Sequence, residues 1–465
     1  MRIFLTADIG STFTKVTAVD IEDKKIIGCA RSFTTIETNV MEGFENALEE
    51  LSVQCGKLTF EKKVASSSAA GGLKMIAVGL VPDLTVKASK LAVTNAGAKI
   101  LKTYSYELSI QEQEEIYQLN PDMVLLSGGI DGGNKEVIIH NAKVLARIDR
   151  NFSIVVAGNK SAVDEIGQIL RHAGKQVVLC ENVMPEFNKL NIDSAKKAIR
   201  DLFIKNIISA KGLDNLQSIL ATEIIPTPLS VFDAACLLSR GTKTQAGLDE
   251  LMIFDVGGAT TDVYSMSDGY PSRPNVFVHG IQDPFAKRTV EGDLGMRYSI
   301  LPLVEEAGIE QIARHVQTDE ATILNWLDVC QRAPDTVPEI GSLQKQIDDE
   351  FAAMAIKISA ARHCGFVETV FTSMGEALSQ TGKDLTQVKY VIGTGGSVIN
   401  SAKPEYILGK ALYQPADLNL LKPLTPTLLL DKKYILSSMG LLSKLEPDVA
   451  LSIMKEELLT NGHIN

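Results

Sequence analysis

Residues 2–9 carry an apolar, β-rich run that stops at Gly10-Ser11-Thr12, and Thr14 to Ile21 is β-rich again through Val16, Thr17 and Val19. Two such runs across a short polar turn predict a hairpin. Val40, Phe44, Ala47, Leu48 and Leu51 recur at helical spacing over 40–52, and Lys63–Ser67 reads as a further short strand. From about residue 73 the pattern alternates. Strands are predicted at Leu73–Val78, Met123–Ser127, Ile154–Ala157 and Val177–Leu179, with helices near 84–98, 135–147 and 161–173. Alternation of this kind predicts βαβ units and a mostly parallel sheet, so residues 80–205 read as an inserted α/β subdomain.

Residues 213–240 are helical at their ends, with Pro226 and Pro228 interrupting the middle. Short strands follow at Met252–Asp255 and Thr260–Met266, then the turn pair Asp268-Gly269 and a strand near 275–279. Region 298–381 shows no clear strand; Leu343, Ile347, Phe351, Met354 and Ile358 lie on one helix face. It reads as a helical subdomain returning to a strand at Tyr390–Ile392. One internal symmetry stands out. Ala7-Asp8-Ile9-Gly10-Ser11-Thr12 is echoed by Phe254-Asp255-Val256-Gly257-Gly258-Ala259-Thr260-Thr261. Both end a strand with Asp, turn on Gly and continue with hydroxyl residues, which suggests two duplicated half-domains facing each other. The expected division is 1–79 with 206–250 as the first half, 80–205 as the insert, and 251–465 as the second half.

Composition narrows the class. The 465 residues are 45% hydrophobic and 22% charged, a globular composition long enough for several domains. A net charge of −11, with no dense Lys/Arg block, argues against nucleic acid or an anionic membrane as partner. The six cysteines form no CxxC pair, which suits scattered thiols in a reducing compartment. The opening apolar run ends at Asp8, and no stretch of ~18 apolar residues occurs. A cytoplasmic protein is expected.

The chemistry lies in three glycine turns. In the first, Gly10 lets backbone N–H groups approach a phosphate, Ser11 and Thr12 add hydroxyls, and Lys15 supplies a point charge. Asp8 at the strand end suits a water-rich Mg²⁺. In the second, Gly257 and Gly258 cradle outer phosphates, Thr260 and Thr261 offer hydroxyls, and Asp255 orients a metal-bound or attacking water. The third, Val391-Ile392-Gly393-Thr394-Gly395-Gly396-Ser397, runs a strand through a glycine turn into a helix, where an adenine–ribose face can lie flat on Gly393, Gly395, Gly396 and Ser397.

In this order the turns resemble the acetate/sugar kinase, heat-shock ATPase and actin superfamily. The resemblance implies an α/β, actin-like ATPase fold: two ribonuclease H-like half-domains around a cleft holding Mg²⁺ and ATP. It also implies two connecting helices, placed at Thr227-Pro228-Leu229-Ser230-Val231 and Ser438-Met439-Gly440-Leu441-Leu442, where Gly440 would let helices cross closely. Asp293 and Arg297 would lie near the cleft. Thr227 stands where the heat-shock branch carries an acidic residue, which implies slow hydrolysis or hydrolysis resting on Asp255.

Further stretches point to one branch: Ser66-Ser67-Ser68-Ala69-Ala70-Gly71-Gly72-Leu73-Lys74-Met75, Ser127-Gly128-Gly129-Ile130-Asp131-Gly132-Gly133, and Thr289-Val290-Glu291-Gly292-Asp293-Leu294-Gly295-Met296-Arg297. With the two Asp turns they resemble the glutamate mutase accessory protein family, MutL, unrelated to the mismatch-repair protein of that name. That resemblance implies a reactivating chaperone for a cobalamin-dependent mutase, with subunits of that mutase as partners and the insert as the candidate partner surface. The base-off cobalamin motif Asp-x-His-x-x-Gly is absent from the sequence, so direct cobalamin binding is not expected. Three alternatives stay open: a small-molecule kinase of the same fold, a hydantoinase/oxoprolinase-type ATP-dependent subunit, and an actin-like filament protein.

Overall fold

The computed structural model describes residues 2–10, 13–34, 40–68, 74–210, 216–372 and 375–464. The first half-domain opens with the antiparallel meander β1 (Ile3–Ile9), β2 (Phe13–Asp20) and β3 (Lys25–Phe33). β4 (Lys62–Ser67) joins β1 in parallel. A separate sheet holds β5 (Lys74–Gly79), β6 (Lys99–Ser105), β7 (Met123–Leu126), β8 (Ser153–Val156) and β9 (Val177–Leu179), all parallel, in the order β6-β5-β7-β8-β9. Strand Lys74–Gly79, which the sequence division allots to the first half, is thus hydrogen-bonded inside this parallel sheet. The chain then returns through β10 (Ile225–Pro226), which closes the first sheet as β10-β4-β1-β2-β3.

The second half-domain repeats that construction. β11 (Leu251–Val256) and β12 (Thr261–Met266) form a hairpin, and after the short β13 (Val276–His279), β14 (Ala286–Glu291) completes the meander. β15 (Phe366–Thr372) pairs antiparallel with β16 (Gly375–Thr381), which pairs with β13 in parallel, making a small sheet of their own. This corrects the strand-free reading of 298–381. β15 reads Phe366-Val-Glu-Thr-Val-Phe-Thr372 in sequence, a β-rich run masked by the long helix before it. β17 (Tyr390–Thr394) and β18 (Thr427–Leu430) then add in parallel, giving β14-β12-β11-β17-β18. Each half therefore has a three-strand antiparallel meander followed by two parallel strands.

Helices fill the space between the two sheets. Thr227–Arg240, Leu436–Leu442 and Pro447–Leu459 bury Phe232, Leu238, Met439, Leu442 and Met454 against Phe4 and Val64 on one side and Ile253, Tyr264 and Ile392 on the other. The proline pair does not interrupt a helix. Thr227–Arg240 begins directly after Pro226, with Pro228 in its first turn, where a missing N–H leaves no bond unmade. This helix crosses Leu436–Leu442 at Gly440, where a Cβ would stand 1.8 Å from the Ser230 carbonyl oxygen. The Ser230 hydroxyl donates to the Ser437 carbonyl at 2.5 Å beside it. The helical subdomain is organised by Leu343–His363, capped by the Ser342 hydroxyl accepting from Lys345 N–H at 3.1 Å, with Ile347, Phe351 and Met354 buried.

Candidate functional site

Asp8 and Asp255 occupy matching places, near the carboxyl ends of the central strands β1 and β11. Carboxyl ends of parallel-paired strands gather in one cleft, which is where such folds place ligands. Asp8 is buried. Its Oδ1 accepts from the Thr227 hydroxyl at 2.6 Å and the Ser66 hydroxyl at 3.2 Å, and Ser66 in turn meets Ser437. Thr227 therefore reaches into the site from the first turn of its helix.

Lys15 pairs with Asp8 across the β1–β2 hairpin, and its ammonium lies 3.0 Å from the centre of the Tyr434 ring. Burial pulls the Lys15 pKa below its ordinary value, opposed by the charges of Asp8, Asp255 and Asp431. Asp255 is pushed up to about 7, chiefly by burial and then by Asp262, with Asp8 and Asp431 adding to it and Lys15 opposing. Asp431 is raised by burial, opposed by the N–H groups of Ile435 and Leu436 at 2.8 and 3.1 Å and the Thr394 hydroxyl at 3.2 Å. Tyr434 has its phenol raised well above normal, first by Asp255. It also takes a left-handed φ of 56°, uncommon for a bulky residue and frequent at functional sites. Three carboxylates and one lysine thus feel each other in one cleft.

The glycine turns frame this cluster. Gly10 N–H donates to the Phe13 carbonyl at 3.0 Å, and a Cβ there would meet the same oxygen at 2.7 Å. Ser11 and Thr12 lie outside the described residues. In the second turn Gly257 N–H donates to the Thr260 carbonyl at 2.9 Å. The loop after β14 clamps it from outside: Met296 N–H reaches Gly257 O at 3.0 Å and Arg297 N–H reaches Gly258 O at 2.8 Å. Thr260 donates its hydroxyl to Asp262 at 3.1 Å, while Thr261 is buried and donates to the Leu294 carbonyl at 2.6 Å. In the third turn Gly395, at φ +95°, lies so close to β11 that a Cβ would sit 2.3 Å from the Val256 carbonyl oxygen. Gly393 receives Asp431 N–H at 2.9 Å; Gly396 is exposed and Ser397 half-buried at the start of Gly396–Ile399.

Arg297 and Asp293 serve the clamp. The Arg297 guanidinium turns into the helical subdomain and pairs with Asp348 at 2.6 Å, which also accepts from Trp326 Nε1 at 2.7 Å. Asp293 pairs with Arg362 at 2.8 Å. Asp431 and Tyr434 were missed by sequence reasoning. The signal was present, because the apolar run Thr427–Leu430 ends in Asp431 as the other two strands end in Asp8 and Asp255. By sheet position Asp431, after edge strand β18, is the counterpart of Thr227 after edge strand β10. The acidic residue missing from the first half is present in the second.

The donor set suits a hard cation. Asp8, Asp255 and Asp431 outnumber Lys15, and the raised proton affinity of Asp255 marks negative charge that Lys15 alone does not balance. Among the described residues no three Asp, Glu, His or Cys side chains converge closely enough to enclose an ion. A cation that retains several waters fits such an open set. Among the described residues no helix is long and apolar enough to cross a membrane. All six cysteines are free thiols.

Two half-domains of one topology, each ending its central strand with Asp and a glycine turn over a shared cleft, define the actin-like ATPase fold. The chain belongs to the MutL protein family, whose model matches residues 4–458. Protein MutL of Clostridium tetanomorphum is 47% identical over 465 residues, covering 99% of this chain and 100% of that one. Among solved structures, a nucleotide-free diol dehydratase-reactivating factor overlaps 96% of this chain and 100% of its own, at 11% identity and a TM-score of 0.37. Xylulose kinase from Lactobacillus acidophilus overlaps 98% of this chain and 89% of its own, at 10% identity and a TM-score of 0.31. Likeness at that level carries no argument about ligand or partner.

Proposed function

We propose that this chain is an ATP-dependent accessory protein that reactivates a cobalamin-dependent mutase, with glutamate mutase as the first partner to test. The observation that carries the nucleotide part is the convergence of Asp8, Asp255 and Asp431 on Lys15 beneath three glycine turns. Mg²⁺, held through waters by Asp8 and Asp255, would neutralise the phosphates. Lys15 balances charge on the first-turn side, Gly257, Gly258 and Thr260 meet the phosphates from the other, and Gly395, Gly396 and Ser397 take the adenosine. Thr227, holding Asp8 by its hydroxyl, cannot accept a proton from water as a carboxylate can. Hydrolysis therefore rests on Asp255 and is slow, which suits a switch that dwells in one state. Membership of the MutL family supports the mutase partner.

The test is release of damaged cobalamin from purified, inactivated glutamate mutase, followed by its absorbance after gel filtration. This chain with Mg-ATP should release the cofactor; Asp8→Ala, Mg-free buffer and ADP should not. Release that ignores nucleotide, or no release with a mutase restored by other means, overturns the reading. A second reading, a small-molecule kinase, draws on a cavity of about 620 Å³ beside Lys15 and Tyr434, also lined by Arg31, Asn46 and Gln54. That is room for a small acceptor; ATP turnover driven by one metabolite would favour it.

A further inference from the structure

The inserted subdomain interrupts the first half-domain in sequence yet is bonded to the second. Helix Lys87–Asn95, the first of the insert, ends against β14. There Arg288 NH1 donates to the Thr94 carbonyl at 2.7 Å. Thr94 is in the last turn of that helix, whose carbonyls have no partner within the helix and favour a cation. The same guanidinium holds Asp262 Oδ1 through Nε at 2.8 Å and NH2 at 2.6 Å. Both are buried, Arg288 at 2% and Asp262 at 7% exposure. The second oxygen of Asp262 accepts the Thr260 hydroxyl at 3.1 Å. An unbroken chain of hydrogen bonds thus runs from the second glycine turn, through Asp262 and Arg288, to the insert. Two neighbours reinforce the junction: Lys87 donates to the Ile281 carbonyl at 2.7 Å, and Lys99 lies over Gly292 at the root of the clamp loop.

We propose that Arg288 is a positioning residue that couples the second glycine turn to the inserted subdomain, so that a nucleotide engaging Thr260 is felt at helix Lys87–Asn95. The inference rests on the nucleotide reading of the site and adds the route by which it reaches the surface assigned to the partner. Geometry makes arginine necessary. One planar guanidinium meets a carboxylate and a helix-end carbonyl at once, whereas a lysine ammonium at the end of a flexible stem holds one of them. When Thr260 turns its hydroxyl to a phosphate, Asp262 loses that donor and its bond to Arg288 readjusts. The Thr94 carbonyl is the next atom in line.

Hydrogen exchange of residues 87–95, read by mass spectrometry, tests this. In the unmutated chain, Mg-ATP should change their exchange rate by about fivefold or more. Arg288→Lys should bind Mg-ATP within a few-fold of the unmutated affinity, measured by calorimetry, yet lose that response. A response kept in Arg288→Lys overturns the coupling. A nucleotide-free arm separates the two ideas. Thr260→Val should alter exchange at 87–95 in the unmutated background and leave it unchanged in Asp262→Asn/Arg288→Met, which removes both buried charges together. Equal effects of Thr260→Val in both backgrounds sink the coupling whether or not nucleotide binds. Absence of calorimetric binding to the unmutated chain sinks the nucleotide reading alone.

Discussion

Replacing Asp255 by Asn should stabilise the free protein while removing its ligand. The two side chains have nearly the same shape, so the change is one of charge. In the folded chain Asp255 faces Asp8, Asp262 and Asp431, and its carboxyl holds a proton up to about pH 7 instead of 3.8. The folded value is raised, so the proton-bound form is favoured by folding. Stability from it is fully present below about pH 4 and is lost as the pH rises through 7. At 1.36 kcal/mol per pH unit the full displacement is about 4 kcal/mol. The side chain is partly open to the cleft, so about 2–4 kcal/mol is expected after solvent screening. Asp255→Asn carries no charge at any of these pH values and avoids that loss.

The assay is thermal unfolding in EDTA, without nucleotide, from pH 5 to 8.5. At pH 8.5 the variant should melt roughly 5–10 °C higher, taking ~2–4 °C per kcal/mol for a unit of ~200 residues. The gain should fall to less than half by pH 5, where the native carboxyl takes up its proton. With Mg-ATP at about 1,000 times its dissociation constant the order should reverse, because the unmutated chain gains about 4.1 kcal/mol from binding and the variant gains nothing. A variant no more stable than the native chain at pH 8.5, or a gain that stays flat across the range, would refute the argument that this carboxylate is held against its own charge.

Four further outcomes follow from single positions. Thr227→Val removes the 2.6 Å donor to buried Asp8 and should cost about 1–3 kcal/mol in urea unfolding. Lys15→Met leaves the carboxylates without their cation; calorimetry should show Mg-ATP binding weakened about 10–100-fold, with the apolar stem still packed. Gly440→Ala forces a Cβ to 1.8 Å from the Ser230 carbonyl oxygen and should cost about 1–3 kcal/mol. Gly409→Ala, with nothing within 4 Å of the added Cβ, should stay within about 0.5 kcal/mol.

Much of the site could be read from sequence because its parts are local. A strand that ends in Asp, bends on Gly and continues with hydroxyls needs only adjacent residues, so Asp8 and Asp255 and their turns announce themselves. Gly440 was legible for a similar reason, since a small residue in an apolar helix has few other uses. Local patterning failed where a neighbour in space decides. The prolines at 226 and 228 look like breakers, yet they start a helix because β10 ends there and a first turn has N–H groups to spare. Thr261 reads as a second phosphate hydroxyl, but the alternation of β12 turns it inward to the Leu294 carbonyl.

Asp431 is the instructive omission. Its strand, Thr427–Leu430, is short and lies at the edge of the second sheet, with no glycine turn behind it to mark it as chemical. Only the duplication reveals it, because once β10 and β18 are recognised as counterparts, the residue after each must face the same cleft. The duplication also explains the division of labour between them. Thr227 hydrogen-bonds Asp8 and adds no charge, while Asp431, held by two helix N–H groups and Thr394, supplies the third negative charge from the opposite side. Two acidic residues at those places would put four carboxylates around Lys15. At the electrostatic cost already visible in Asp255, that arrangement would drive further protonation in place of binding a cation. Under the proposed function, the threonine therefore reads as a limit on charge that would leave the cleft able to accept a metal-bound triphosphate, with slow turnover as the expected consequence.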